Sequence, residues 1–384
     1  MKRRTVIKIT VAAAALAALA PLSGYTKAKG ASPMKYRGIV YDVGLRFTAN
    51  GPLSVKTFNP ELVAYDINAI ATQLHANAIR IEGEDIDRLV IATRLAHEAG
   101  LTVFFNPWKM NVPITELPAY FSRAARAAEE LRQEGVNLVF VAGCEMSLFN
   151  EGILDGSSVV ERIQGIAELM TAREAIDGTG KAHKKQALFN DTMSQIVKNV
   201  RAEYRGILTY SQGMWEQVDW RLFDIVGIDH YRAGESAEEY VMTLDHYRLN
   251  KPLVVMEVGS CAYKGAGKLG AGGFMNLLGT NPDGTGIFSN DVIPTRSERE
   301  QADYIEEQLK LLSGPDAGVD GVFIYVFSFP TFPHGEGGRD LDMMSFSLVK
   351  TYPADHSKGQ KMPPWEPKEA FQRLSMIYQH MAAQ

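Results

Sequence analysis

Two glutamates stand at the ends of apolar runs in this sequence. Glu145 closes the run NLVFVAGCE, and Glu257 follows the run PLVVM. An unpaired buried charge is costly, so each carboxyl group must be paired with a cation, protonated, or used in a reaction. Two carboxyl groups about 5 Å apart suit a retaining glycosidase, with one as nucleophile and the other as acid/base, whereas about 6.5–9.5 Å suits inversion. The alternative is that each glutamate forms only an ion pair with a neighbouring lysine or arginine.

The elements that must position these glutamates alternate along the chain. Runs rich in β-branched and aromatic residues are separated by amphipathic segments, which predicts a parallel sheet covered by helices. The predicted strands cover residues 38–43, 77–83, 101–107, 137–145, 206–212, 224–231, 252–259 and 321–329. The predicted helices include residues 60–74, 85–99, 115–134, 235–249, 297–313 and 366–382.

Eight such units favour a single (β/α)8 TIM barrel of the α/β class over an open sheet. Long connections of residues 146–205, 259–296 and 328–364 follow the fourth, seventh and eighth strands. The carboxyl ends of barrel strands share one face, whose loops bind substrate. Glu145 and Glu257 would therefore face each other across this mouth.

The first 31 residues differ from the barrel domain that we assign to residues 32–384. A basic start, MKRR, precedes an Ala-rich apolar stretch and a Pro/Gly break, which is the pattern of an export signal. The pair Arg3-Arg4 is typical of the twin-arginine route, and a generic signal peptide or an uncleaved anchor is the alternative. We expect a periplasmic or secreted protein whose mature chain begins between residues 21 and 35, without stable membrane insertion after cleavage.

Composition argues against several other classes of protein. A formal charge of -5 and 46% apolar residues describe an ordinary globular chain, with no reason to expect nucleic acid or anionic lipid as a partner. Two cysteines, Cys144 and Cys261, are too few for a disulfide framework, so we expect buried free thiols, with a single disulfide as the alternative.

Motifs for cofactors and for other hydrolytic mechanisms are also missing from the sequence. The stretch GAGKLG, residues 265–270, follows the seventh strand without opening a helix, so it is not a nucleotide-binding fingerprint. The histidines lack metal-ligand spacing, and no serine nucleophile elbow is found. We therefore expect no metal and no cofactor.

Four motifs together resemble the clan A retaining glycoside hydrolases, the "4/7" barrels, over essentially the whole mature chain. They are AIRIEG, VAGCE, DIVGIDHY and VVMEVG. The resemblance implies that Glu145 is the acid/base and Glu257 the nucleophile. It further implies that Arg80 orients the nucleophile and that Tyr231 donates a hydrogen bond to it.

The sequence departs from that clan at two positions. Most members have an asparagine before the acid/base, where it holds the sugar 2-hydroxyl, and this chain has Cys144. The tryptophan usual at the end of the eighth strand is absent, and Phe327 and Phe329 stand there instead. The resemblance therefore does not extend to the sugar contact at position 144.

Further residues at the predicted strand ends are candidate contacts for a carbohydrate substrate. Aromatic rings can stack on a sugar and polar groups can hold its hydroxyls; for each residue the alternative is simple packing or turn capping. These candidates are Asn106 and Trp108 after the third strand, Trp215 after the fifth, Asp42 after the first, Glu82 in the second, and His230 in the sixth.

Two functions remain open at this stage. The first is a retaining glycoside hydrolase that works by double displacement with two glutamates. The second is a non-catalytic barrel that binds glycan or acts in phage defence. Stretches such as NPWKMNVP and RDLDMMSFSLVKT are similar to those of bacterial barrel proteins labelled abortive infection protein, a label that says little about chemistry.

Overall fold

The computed structural model describes residues 34–166, 170 and 180–384. The predicted export signal lies outside the described residues, so export and its cleavage site stay predictions. No helix in the described part of the chain is long and apolar enough to cross a lipid bilayer.

Eight parallel strands form the central barrel, which confirms the predicted fold class. The barrel strands are β1 (Tyr36–Asp42), β2 (Ala78–Gly83), β3 (Thr102–Pro107), β4 (Leu138–Cys144), β5 (Ile207–Ser211), β6 (Val226–Asp229), β7 (Leu253–Val258) and β10 (Gly321–Ile324). They pair in the order β5-β4-β3-β2-β1-β10-β7-β6. Gln212 closes the gap between β5 and β6, because its backbone N–H donates to Gly227 O at 3.0 Å and its carbonyl accepts from Asp229 N at 2.9 Å.

Helices follow most of the strands and cover the outside of the barrel. They are α1 (Pro60–Thr72), α2 (Ile86–Glu98), α3 (Leu117–Gln133), α4 (Met146–Phe149), α5 (Val159–Gln164), α6 (Lys181–Glu203), α7 (Ala237–Met242), α8 (Glu298–Leu312) and α9 (Glu369–Ala382). Polar side chains cap several amino ends, as Asp85 does for α2 by accepting from two backbone N–H groups. The helix predicted over 235–249 is shorter, since α7 passes into a 3-10 turn over Thr243–Tyr247.

The interior of the barrel changes from apolar to polar along the strands. Alternate residues of each strand point inward, and the lower layers contain apolar side chains such as Val40, Phe104 and Phe323. At the upper end Asp42 pairs in register with Glu82, and Glu82 with Asn106. The apolar layers fix the strands beneath, so the polar side chains above them are held at the mouth.

The three long connections occur where they were predicted. The one after β4 contains α4, α5 and α6, and the one after β7 contains 3-10 turns and a hairpin of β8 (Leu277–Thr280) and β9 (Gly286–Phe288). The third, after β10, contains 3-10 turns and ends in a small antiparallel pair, β11 (Val349–Thr351) with β12 (Trp365–Pro367).

The predicted end of the eighth strand is wrong by several residues. β10 ends at Ile324, and Phe327 is fully buried among the outer helices, with its ring 5.4 Å from that of Trp365. The backbone N–H of Phe327 donates to Val40 O at 2.9 Å, which directs this segment across β1 and turns Phe327 away from the mouth. The aromatic residue at the strand end is therefore Tyr325.

Candidate active site

Glu257, at the end of β7, is held by one donor on each carboxylate oxygen. Arg80 Nη1 donates to Glu257 Oε1 at 2.9 Å, and Tyr231 OH donates to Oε2 at 2.9 Å. Arg80 is itself fixed, because Nη1 also donates to Met256 O at 3.0 Å and Nε donates to Asn106 Oδ1 at 2.8 Å. A neighbouring guanidinium and a hydrogen bond to the charged form both stabilise a carboxylate. Glu257 is thus held in one orientation by two donors.

Glu145 follows β4 in an unusual backbone conformation. Gly143 has φ 104°, and Glu145 itself is left-handed, with φ 41° and ψ 43°. A non-glycine residue in this region costs of order 1 kcal/mol. Burial, followed by the negative charges of Asp229 and Glu257, raises the pKa of Glu145 well above its usual range. Glu145 therefore favours its protonated form, as a general acid must.

The turn that carries Glu145 is clamped by two side chains from β5 and the loop after it. Met146 N donates to Tyr210 OH at 2.7 Å, and Ser147 N donates to Glu216 Oε1 at 2.9 Å. Ser147 Oγ also donates to Glu216 Oε1 at 2.6 Å. Sequence reasoning missed Glu216, although it directly follows a predicted site residue in SQGMWE. It is a positioning residue for Glu145.

We expect Glu216→Gln to move the alkaline limb of the kcat/KM profile to lower pH by about 0.5 to 1 unit. Burial raises the pKa of Glu216 to about 7, so above that pH its charge helps Glu145 to keep its proton. Without that charge the pKa of Glu145 falls, and the acid is lost at lower pH. Tyr210→Phe is the control, since it loosens the same turn but keeps the Glu216 carboxyl. Because the lost hydroxyl also donates to Glu216 Oε2 at 3.0 Å and lowers the pKa of Glu216, the two variants are compared well above pH 7, where Glu216 is ionised. An equal displacement of the limb in both variants would show that Glu216 acts only through structure.

Asp229 and Cys144 complete the group around Glu257. Ser211 Oγ donates to Asp229 Oδ1 at 2.6 Å, and Cys144 Sγ lies 3.5 Å from Asp229 Oδ2 and 3.6 Å from Glu257 Oε1. Burial raises the pKa of the Cys144 thiol, so this group stays protonated and donates to one of the two carboxyls at a time. Both cysteines are free and buried, as expected. The residue that departs from the clan pattern thus touches the candidate nucleophile.

Three of the predicted sugar contacts lie around Arg80. Asn106 accepts from Arg80 Nε, and Glu82 Oε2 is 3.1 Å from Arg80 Nη2. Trp108 is only 4% exposed; its ring packs against Phe149 at 5.0 Å, and Arg80 Cζ lies 5.9 Å from the ring centre. The structure therefore gives these residues contacts that hold the arginine, and their contact with a sugar stays a prediction.

The other three predicted contacts have different surroundings. Asp42 Oδ1 accepts from Gly44 N at 2.6 Å, and burial raises the pKa of Asp42 to about 6. His230 is buried, stacks on Tyr240 at 4.0 Å and places Nε2 3.0 Å from the Tyr240 carbonyl. Trp215 is partly exposed and donates from Nε1 to Ser147 Oγ at 2.9 Å, which joins it to the turn that carries Glu145. Of these three, Trp215 is best placed to offer a stacking face.

Tyr325, which sequence reasoning did not select, lies on the side of the mouth that carries Tyr231 and Glu257. Its ring packs 5.8 Å from Phe346, and Phe346 packs 5.8 Å from Tyr231. Burial, and then the charges of Glu82 and Glu257, raise the pKa of the Tyr325 hydroxyl. Tyr325 therefore remains a neutral donor beside the carboxyl groups.

Two groups of side chains in the described part of the chain have donor atoms close enough to hold a metal ion. Cys144, Asp229 and Glu257 form one, and His334, Asp340 and Asp342 form the other. Protein cations are already present in both. Arg80 contacts Glu257 in the first, and Arg296 pairs with both aspartates in the second, at 2.9 Å each. In each group an arginine side chain thus already supplies positive charge to the carboxylates that would otherwise be free to bind a metal ion.

We therefore expect turnover to survive chelation. Dialysis against EDTA should leave kcat/KM within about twofold of the untreated value, because the proposed proton transfers use carboxyl groups alone. The measurement compares treated protein with and without added Mg²⁺, Ca²⁺ or Zn²⁺. Activity that is lost in EDTA and restored by one of these ions would show a metal requirement.

The fold described above is shared with solved structures of glycoside hydrolases. A GH113 β-1,4-mannanase matches with a TM-score of 0.54 and 16% identity over 90% of this chain and 98% of its own. The GH113 β-mannanase of Alicyclobacillus acidocaldarius in complex with ManMIm matches with a TM-score of 0.53, at 16% identity, over 90% and 97%. At these identities the similarity establishes a common fold.

A larger enzyme also contains this fold as one part. Bacteroides uniformis β-glucuronidase 2, covalently bound to cyclophellitol-6-carboxylate aziridine, matches with a TM-score of 0.54 and 14% identity over 90% of this chain but 35% of its own. No protein-family model and no curated protein matches the chain. The resemblance to proteins labelled abortive infection protein finds no support in these comparisons.

Proposed function

We propose that this protein is a retaining glycoside hydrolase in which Glu257 is the nucleophile and Glu145 the acid/base. The main support for the proposal is the pair of hydrogen bonds that Arg80 and Tyr231 donate to Glu257. Across the mouth, the raised pKa of Glu145 keeps that second carboxyl group protonated. An ionised nucleophile and a protonated acid are the two states that the first step of double displacement requires. The barrel shared with glycoside hydrolases supports the same proposal.

In the first step Glu257 attacks the anomeric carbon while Glu145 gives its proton to the departing glycosidic oxygen. The product is a glycosyl ester on Glu257, which has no negative charge. Since the charge of Glu257 is one cause of the raised pKa of Glu145, that pKa falls when the ester forms. Glu145, now ionised, is suited to take a proton from the water that hydrolyses the ester. The charge of the nucleophile thus helps the same residue to act first as acid and then as base.

We also propose that the protein acts outside the cytoplasm on a carbohydrate. The basic and apolar pattern of residues 1–31 supports export, and the polar mouth with its aromatic neighbours supports a sugar ligand.

Trapping of the glycosyl ester tests the proposed function. The protein is incubated with 2-deoxy-2-fluoro-glycosyl fluorides of glucose, mannose and galactose, which form the ester faster than they lose it. We expect the intact mass to rise by one fluoroglycosyl group and peptide mapping to place that group on Glu257. Glu84→Gln, on the rim just beyond β2, should be labelled like the wild type, whereas Glu257→Gln should stay unlabelled. A label on another residue would refute the assignment. A chain that takes no label and hydrolyses no glycan would favour the non-catalytic barrel.

A further inference from the structure

The upper ends of the barrel strands carry far more acidic than basic groups. The eight barrel strands contain only two lysine or arginine residues: Arg37, near the amino end of β1 and away from the mouth, and Arg80, in the middle of β2. Five carboxyl groups stand at the same level, at the strand ends or just after them: Asp42, Glu82, Glu145, Asp229 and Glu257. The floor of the mouth is therefore rich in carboxyl groups and contains a single cation. Asp42, whose pKa burial raises to about 6, is charged at neutral pH, whereas burial raises the pKa of Glu82 and Asp229 well above the usual range.

Most of the donors of that cation, Arg80, are used within the protein; only Nη2 makes no hydrogen bond, and it is buried beside Glu82. Arg80 Nε donates to Asn106, and Nη1 donates to both Met256 O and Glu257. The remaining nitrogen, Nη2, lies 3.1 Å from Glu82 Oε2. Arg80 is fully buried, so a ligand anion could reach it only by displacing one of these partners.

The carboxyl groups, in contrast, have oxygens left over. Asp42 Oδ2 and Glu82 Oε1 are buried and accept no hydrogen bond from the protein. An unsatisfied buried acceptor stabilises a neighbouring donor and repels a neighbouring anion. This part of the floor is therefore suited to hydroxyl groups or water and unsuited to a second carboxylate.

The cations on the rim of the mouth do not offset this excess of carboxyl groups over cations. Several are already paired with carboxylates: Arg46 with Glu84 at 3.1 Å, Lys109 with Glu116 at 3.0 Å and Arg232 with Glu307 at 2.6 Å. Lys264 and Lys268, on the loop after β7, are exposed, and water screens an exposed cation strongly.

From this distribution of charge we infer that the sugar bound next to Glu257 is uncharged and is not a uronic acid. The inference rests on the proposed function and adds a substrate class to it. The fold does not decide the question, because the structures that share it include mannanases, named for an uncharged sugar, and glucuronidases, named for a uronic acid. A uronic acid would bring a carboxylate into a region already rich in carboxyl groups, whereas a hydroxymethyl group needs no counter-charge.

Calorimetric titration with two matched iminosugars tests the inference. Isofagomine carries a hydroxymethyl group, and its uronic counterpart carries a carboxylate at the same ring position. We expect isofagomine to bind the full-length protein at least about tenfold more tightly, since like charges at a buried site disfavour association. Equal or tighter binding of the uronic compound would overturn the inference while leaving a glycosidase site in place. Binding of neither would overturn the proposed function and the inference with it.

Two variants identify the source of the discrimination. Asp42→Asn removes the charge that Asp42 carries above a pH of about 6, so at higher pH it should reduce the affinity ratio of the two compounds by at least about threefold. Glu82→Gln changes a carboxyl group whose pKa is raised by burial, so it should reduce the ratio less. Glu84→Gln removes a charge from the rim two residues away and should leave the ratio unchanged. Because Glu82→Gln also disturbs Arg80, Asp42→Asn is the decisive variant. An unchanged ratio in Asp42→Asn, with isofagomine still bound, would contradict the role given to the floor.

Discussion

Glu257→Ala should abolish turnover of every glycoside that the protein hydrolyses, with kcat/KM lower by at least about four orders of magnitude. No other carboxyl group described in the structure receives both a guanidinium and a tyrosine hydroxyl, so none can replace it as nucleophile. The loss should be the same for substrates with good and with poor leaving groups, because both need the covalent step.

The measurement is hydrolysis of an aryl glycoside and of the natural polymer by purified variants whose circular dichroism matches that of the wild type. Glu84→Gln serves as the control and should retain full activity. Wild-type turnover by Glu257→Ala would mean that the carboxylate is only an ion-pair partner of Arg80 at the barrel mouth.

Glu145→Ala should show a different pattern, in which the loss depends on the leaving group. Substrates with a poor leaving group need the proton of Glu145 and should slow by at least about a thousandfold. An activated aryl glycoside departs without that proton, so its glycosyl ester should form at close to the normal rate and then accumulate. Rapid-mixing measurements should therefore show a burst of released phenol in Glu145→Ala and none in Glu257→Ala.

Azide separates the two roles by stereochemistry. In Glu145→Ala, azide should attack the ester on Glu257 from the opposite face and give a glycosyl azide of retained configuration. In Glu257→Ala, any azide product should have inverted configuration, because the anion then takes the place of the missing nucleophile. If the two configurations were exchanged between the variants, the assignment of nucleophile and acid/base would have to be reversed.

The barrel and the position of two glutamates at its strand ends could be predicted because they depend on local pattern. Apolar runs of strand length mark the strands, and a glutamate at the end of such a run is visible without knowledge of tertiary contacts. Arg80 and Tyr231 could be selected only through the resemblance to clan A. They lie 177 and 26 positions before Glu257, and no local pattern shows that both hold its carboxylate. The resemblance therefore supplied long-range contacts that periodicity could not.

For Asp229 and His230, the alternation of side chains along a strand is enough to predict which of the two faces the mouth. Successive residues of a strand point to opposite faces, so a strand end that directs Tyr231 to the mouth should direct Asp229 there as well and His230 away from it. The structure shows this arrangement, with Asp229 beside Cys144 and His230 stacked on Tyr240. Glu216 is different, because its role depends on Ser147, a residue 69 positions away that no local pattern connects to it.

The left-handed backbone at Glu145 has a consequence for protein engineering. At φ 41° glycine is relaxed and glutamate is not, and this glutamate also stands among other carboxyl groups. A selection for thermal stability alone would therefore favour glycine at this position and remove the proposed acid/base. Stabilised variants of this barrel should be selected for turnover as well as for thermal stability, because at position 145 the residue that best fits the backbone conformation lacks the carboxyl group that the proposed reaction needs.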